Sequence, residues 1–261
     1  MNDRLILGID EGTTAVKAVL FDEQLRPVRE ARRDKTNRHP QPGWVEQDAE
    51  EVLAAVVEAV AELLADAPQE VVACGLDHQG ESVLAWDAET GKPLSPIVVW
   101  QDKRSQEVLD RLTEHEAEIK ELSGLPFDPY FSAAKLAWLL DHEQAVQAAR
   151  EAGTLRMGTV DSFLCDRLGA GFATDASTAS RTSGSTSSGT PKSSPSRASK
   201  PGRPSACSWV REAVDASVAK PAPRRSQRNE STVPMRRVPA SRASRTACSC
   251  SSSQASLAAE K

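Results

Sequence analysis

The run "LILGIDEGTTAVKAVLFD", residues 5–22, decides the fold. Apolar residues alternate or run on over strand lengths before Asp10 and after Thr14, and a short Gly-Thr-Thr turn lies between them. Two such runs around a short glycine-bearing turn predict a β-hairpin. The turn has a second use. Glycine and small hydroxyl residues can aim several backbone N–H groups at one anion. Thr13 and Thr14 add hydroxyl donors, and Gly12 lets a phosphate come close to the backbone. Asp10 ends the first strand, where its carboxylate can hold a magnesium ion through water. Phosphate donors and a metal are two of the parts that phosphoryl transfer needs, and the third is a base. An ordinary hairpin with a polar turn uses the same residues, so the short pattern alone leaves both readings open.

Working outward, "PVREARR" extends the hairpin as a third strand. "QPGWVEQDAEEVLAAVVEAVAELLADA" then gives a loop, an acidic helix start near Asp48 and a long amphipathic helix, with Val52, Val56, Val57, Val60, Leu63 and Leu64 at helical spacing. "EVVACGLDHQ" and "ESVLAWD" predict two more strands, "ETGKPL" a turn, and "SPIVVWQD" a further strand ending on polar residues. Helical patterns follow in "RSQEVLDRLTEHEAEIKEL", "FSAAKLAWLLDHEQAVQAAREA" and "TVDSFLCDRL". Together these elements predict an α/β domain with a mixed sheet.

The 261 residues divide sharply by composition. Residues 1–182 carry a net charge of about −15 and residues 183–261 about +10. The second stretch has one leucine, Leu257, and no isoleucine, phenylalanine or tyrosine; about a quarter of it is serine. It offers too little apolar surface to offset a backbone ordering cost of about 1–2 kcal/mol per residue, so a disordered, low-complexity tail is expected. The apolar run at Leu5–Ile9 is too short for a signal peptide, and no apolar run spans a membrane. Cys74, Cys165, Cys207, Cys248 and Cys250 are odd in number and lack zinc spacing, which points to a reduced, cytoplasmic protein.

"GIDEGTTAVKAVLFD" resembles the first phosphate motif of the FGGY carbohydrate kinases, which share a ribonuclease H-like fold with actin and hsp70. Five further segments match in order: "PGWVEQDAEE", "HQGESVLAWDAETGKPLSPIVVWQDKRS", "GLPFDPYFSAAKLAWLLD", "GTVDSFLCDRL" and "TDASTASRT". The resemblance is nearest to the glycerol kinase type. It implies an ATP-dependent transfer of the γ-phosphoryl group to a hydroxyl of a small polyol or sugar, with Mg²⁺. It makes residues 1–182 an incomplete N-terminal domain, implies Asp10 as the magnesium-site aspartate, and gives Gly12, Thr13 and Thr14 the nucleotide phosphates. Gly80, Glu81, Trp100 and Tyr130 match the positions that hold the substrate. A carboxylate accepts from O–H groups, an indole walls off C–H faces and a phenol donates or accepts, so three of these four suit a polyol. As plain structure, Glu81 is a solvated turn residue, Trp100 a strand-end core residue and Tyr130 a loop anchor.

Gly80 is the departure, because the family places an arginine there. Losing such charged donors costs a substrate that relied on them about 1.5–3 kcal/mol. The opened volume predicts a substrate longer than glycerol. His78 stands where the family has asparagine and is a candidate to face that volume, although a lone histidine beside a strand is more often structural. Thr178 also stands where asparagine is frequent.

The family's Gly-Asp-Gln motif, whose aspartate is the general base, has no counterpart here. After Thr182 the one aspartate is Asp215, with neither glycine before it nor glutamine after it. A base must reach the hydroxyl it deprotonates, so this chain alone is expected to be inactive. Out-of-frame reading of a GC-rich gene explains the abrupt change after "ASRT" economically. A basic tail for nucleic acid is the less favoured reading, because it lacks interleaved aromatics beyond Trp209. A non-catalytic carbohydrate-binding or interaction protein is the main alternative, and a homo-oligomer is compatible with either.

Overall fold

The computed structural model describes residues 4–179, apart from Asp66, Pro68 and Ala176. The expected disordered tail, with Cys207, Asp215, Cys248 and Cys250, lies outside the described residues.

The hairpin forms as expected. Strand β1 (Arg4–Glu11) pairs antiparallel with β2 (Ala15–Phe21), and the register closes at Glu11 opposite Val16 around the Gly12–Thr14 turn. Strand β3 (Pro27–Asp34) continues the antiparallel run on the far side of β2. After β4 (Glu46–Gln47), helix α1 (Ala49–Ala65) crosses over, and β5 (Glu70–His78) returns parallel to β1. The first sheet is therefore mixed, in the order β3-β2-β1-β5. Asp48 caps α1, its Oδ1 accepting the amides of Glu50 at 3.0 Å and Glu51 at 3.2 Å. This is why the helix starts where the sequence turns acidic. One face of α1 buries Val52, Val56, Val60 and Leu63 against Leu5, Leu7, Ile9, Val16, Ala18 and Leu20 of the sheet. Each buried Val or Leu contributes about 1.5–3 kcal/mol.

The remaining strands form a second sheet, a division that the expected single mixed sheet lacked. Strands β6 (Val83–Asp87), β7 (Ile97–Val98) and β8 (Leu155–Thr159) join β4 in the order β4-β7-β6-β8, all antiparallel. Its central strand is buried on both faces. Leu84 and Trp86 enter the same core as α1, while Val83 joins a second cluster with Val98, Val108, Leu109, Trp138 and Leu139. Strand β7 is shorter than expected from "SPIVVWQD". Past Val98 the chain leaves the ladder, with Val99 N–H donating to Val45 O and Asp102 N–H turning back to Val99 O.

The two long helical patterns are each broken. The first becomes α2 (Gln106–Arg111), a 3₁₀ turn and α3 (Glu116–Ser123), which ends on Gly124 at φ +68°. The second splits into α4 (Ser132–His142) and α5 (Gln144–Ala152) at Glu143, whose backbone is extended. Helix α6 (Val160–Arg167) follows β8 directly. Among the described residues, no helix is long and apolar enough to cross a membrane.

Candidate functional site

The turn after β1 is built to leave donors free. Gly12 N–H closes the turn on Ala15 O at 3.1 Å, and Lys35 N–H holds Thr14 O at 2.8 Å. The backbone N–H groups of Thr13 and Thr14 have no acceptor among the described residues. A Cβ on Gly12 would sit 3.4 Å from Ala15 O and 3.6 Å from Asp10 Oδ1. The glycine therefore answers no steric demand; it keeps the backbone bare beside an exposed carboxylate. Asp10 and this bare turn fit a hydrated Mg²⁺ with a phosphate, since an oxygen ligand and N–H donors stand side by side.

Thr13 is held at both ends. Its carbonyl accepts from Gln47 Nε2 at 2.6 Å, and its Oγ1 accepts from Trp100 Nε1 at 3.0 Å. The Trp100 ring meets the Tyr130 ring edge-on, with centroids 5.9 Å apart. Two positions expected at the phosphates and the substrate are thus joined by a direct hydrogen bond, 87 residues apart.

Gly80 and Glu81 form a tight turn, with Ser82 N–H donating to Gly80 O at 2.6 Å. Both have left-handed backbones, Gly80 at φ +50° and Glu81 at φ +52°. That conformation costs a non-glycine residue about 1–2 kcal/mol, and it is tolerated where surrounding contacts over-determine it. Here Glu81 is buried, and its Oε2 accepts both the amide of Ser132 at 2.9 Å and its hydroxyl at 2.6 Å. Glu81 is therefore neither a solvated turn residue nor a surface acid.

The sequence reading missed a layer of buried charge behind these residues. Glu11 is fully buried and paired with Lys35, which is almost as enclosed. Burial pushes the Glu11 carboxyl up against the pull of Lys35, and pushes the Lys35 amine down against the pull of Glu11 and Asp10. Gln79 Nε2 bridges Glu11 at 3.0 Å and Gln47 at 2.9 Å, so one polar cluster lies under both the Gly12–Thr14 turn and the chain entering Gly80. Lys135 is also fully buried, donating to Pro129 O at 2.7 Å and to Tyr130 O, and thereby fixing the loop that carries Tyr130. Burial pushes its amine down to about 8 against the pull of Glu81, Asp102 and Asp128.

Beyond Trp100, Arg104 binds Asp102 through Nε at 2.9 Å and Nη2 at 2.8 Å, reaches Glu46 at 2.8 Å, and lies 3.7 Å over the Trp44 ring. Asp102 also accepts the amide of Val45 at 2.6 Å. The "PGWVEQD" and "WQDKR" segments are one structural unit, which the arginine two places after the aspartate could have signalled.

The buried His78 ring reaches Thr178 Oγ1 at 3.2 Å and Asp161 at 3.7 Å, contacts of the structural kind expected of a lone histidine beside a strand. The two positions where asparagine was expected thus touch each other. His78, Asp161 and Asp175 place ligand atoms within 4.8 Å of one another. Thr159 and Thr174 donate to Asp161, and Ser177 and Thr178 to Asp175, while the buried His78 Nδ1 has no hydrogen-bond partner among the described residues. Although burial would raise the Asp175 carboxyl, these donors hold it well below the usual range. The group is a hydrogen-bonded tie.

A mixed sheet with this bare turn, a crossover helix and a second sheet beside it defines the ribonuclease H-like architecture of the actin, hsp70 and sugar kinase superfamily. The N-terminal domain of the FGGY family of carbohydrate kinases matches residues 5–184, and the chain belongs to that family. It is 42% identical to a glycerol kinase of Stenotrophomonas maltophilia (strain K279a) over 189 residues, covering 70% of this chain and 38% of that one. A glycerol kinase of Halorhodospira halophila is 43% identical over 189 residues, covering 70% and 37%. Among solved structures, Plasmodium falciparum glycerol kinase with ADP superposes with a TM-score of 0.64 at 31% identity, over 69% of this chain and 37% of that chain. Gluconate kinase from Lactobacillus acidophilus superposes with a TM-score of 0.62 at 22% identity, over 69% and 36%, a likeness of fold alone. The chain spans less than two fifths of the length of the curated relatives it matches.

Proposed function

We propose that this chain carries the substrate-holding domain of an ATP-dependent polyol or sugar kinase, and that alone it binds its polyol without completing phosphoryl transfer. The observation that carries this reading is the Thr13–Trp100 hydrogen bond, because it sets a turn with free N–H groups directly against the aromatic wall of Trp100 and Tyr130.

In this reading Thr13 and Thr14 donate to the ATP phosphates, and Asp10 holds hydrated Mg²⁺, which supplies neutralisation of phosphate charge. Glu81, fixed by Ser132, accepts from polyol hydroxyls. The Trp100 face and Tyr130 cover the carbon chain. Gly80 brings no side chain to the oxygens an arginine would hold, which favours a polyol of four or five carbons over glycerol. No residue matches the family's general base, so the acceptor hydroxyl keeps its proton.

A second reading, a non-catalytic carbohydrate-binding protein, rests on the same half-site without a base. Titration calorimetry of the full chain with glycerol and with four- and five-carbon polyols, beside an ATP turnover assay, tests both. Polyol binding without turnover supports a binding domain that cannot catalyse. Measurable turnover refutes the inactive reading, and glycerol binding as tight as that of the longer polyols refutes the substrate assignment.

A further inference from the structure

The geometry points to Trp100 as a positioning residue for the phosphate grip, in addition to its place beside the polyol: its indole N–H fixes the Thr13 hydroxyl so that the hydroxyl proton is aimed at the incoming phosphate. This deepens the function proposed above and rests on that reading of the turn.

An indole nitrogen can only donate. Trp100 Nε1, 3.0 Å from Thr13 Oγ1, therefore occupies one of that oxygen's lone pairs. A threonine hydroxyl has a single proton and a freely rotating O–H bond, so an acceptor contact restricts where the proton can point. No acceptor among the described residues takes the Thr13 proton, and the free N–H groups of Thr13 and Thr14 are its neighbours. A phosphate seated on those N–H groups meets an O–H already committed to donation.

The rest of the residue cannot move to compensate. Gln47 Nε2 grips the Thr13 carbonyl at 2.6 Å and is itself held by Asn37 at 2.6 Å, while Gln79 holds the other end of the same amide at 2.9 Å. Trp100 is fixed as well, its backbone N–H donating to Ser82 Oγ at 3.0 Å, one residue beyond Glu81. Polyol against the indole face and phosphate against the Thr13 hydroxyl would therefore be sensed by one side chain. Such preorganised donors lose no orientational freedom when the anion arrives.

The test uses the full 261-residue chain and magnesium pyrophosphate as the phosphate probe. In ¹⁵N-resolved NMR, pyrophosphate should shift the Trp100 indole resonance together with the Thr13 and Thr14 amides. Trp100→Phe, which keeps an apolar ring and removes the donor, should weaken pyrophosphate binding about fivefold, the worth of one neutral hydrogen bond. Thr13→Val should weaken it at least as much, and the double variant no further than Thr13→Val alone.

Independent effects of the two substitutions, or a Trp100 indole that stays put while the turn amides shift, overturn the inference and leave the phosphate turn standing. If neither the turn amides nor the indole respond, the phosphate reading of the turn fails and the inference fails with it. The indole shift is read on the unaltered chain, so a poorly folding variant does not blunt the test.

Discussion

Lys135→Met should change how stability depends on pH. The buried amine donates to the carbonyls of Pro129 and Tyr130, and burial brings it from 10.5 down to about 8. In the unfolded chain the same lysine stays protonated to about 10.5. Between these values the unfolded state binds the extra proton, so raising the pH disfavours unfolding. Stability from this group therefore rises from about pH 8 to 10.5, and below pH 8 both states carry the charge and the dependence vanishes. A tenfold change in proton affinity is worth about 1.36 kcal/mol, so the gain between about pH 7.5 and 9.5 is about 2 kcal/mol. Urea unfolding followed by circular dichroism measures it at each pH. Subtracting the Lys135→Met curve removes the share of every other group. The expected difference curve rises by about 2 kcal/mol over that interval. A flat difference curve refutes the claim that this lysine is charged and enclosed at neutral pH.

Two further outcomes follow from the buried pairs and the turn. Arg104→Met leaves Asp102 enclosed without its cation and should cost about 3–5 kcal/mol in chemical denaturation, whereas a loss under about 1 kcal/mol would contradict the pairing. Gly80→Arg places an L-residue at φ +50°, lowering stability by about 1–2 kcal/mol, yet it should raise glycerol affinity about tenfold or more by calorimetry. Unchanged glycerol affinity would remove position 80 from the polyol site.

What the amino-acid pattern revealed was whatever depends on near neighbours in the chain. The hairpin, the capped start of α1 at Asp48 and the strands at Glu70–His78 and Val83–Asp87 all follow from short-range periodicity and turn chemistry. Strand β8 gave no such signal: most of Leu155–Thr159 is half-buried, so no alternation marks it. The break at Glu143 is equally silent, because the apolar spacing continues through it.

The buried charges were hidden for a different reason. Lysine, arginine and glutamate are nearly always exposed, and their enclosure depends on partners elsewhere. Glu11 needs Lys35 and Gln79, Arg104 needs Asp102 and Glu46, and Lys135 needs carbonyls five and six residues before it. The contact between Trp100 and Thr13 links segments that no window of sequence holds together.

The contact between His78 and Thr178 has a topological meaning as well. Thr178 gives its proton to Asp175, so it accepts from the imidazole, and the two residues lie 100 positions apart. Between them the chain makes β6, β7, β8 and all the helices after α1. That whole excursion leaves from the tip of β5 and returns to it, and the hydrogen bond works as a clasp at the neck of the loop. Closing a loop of this length costs little more entropy than closing one half as long. The excursion can therefore vary in length while its two ends stay in register with the first sheet.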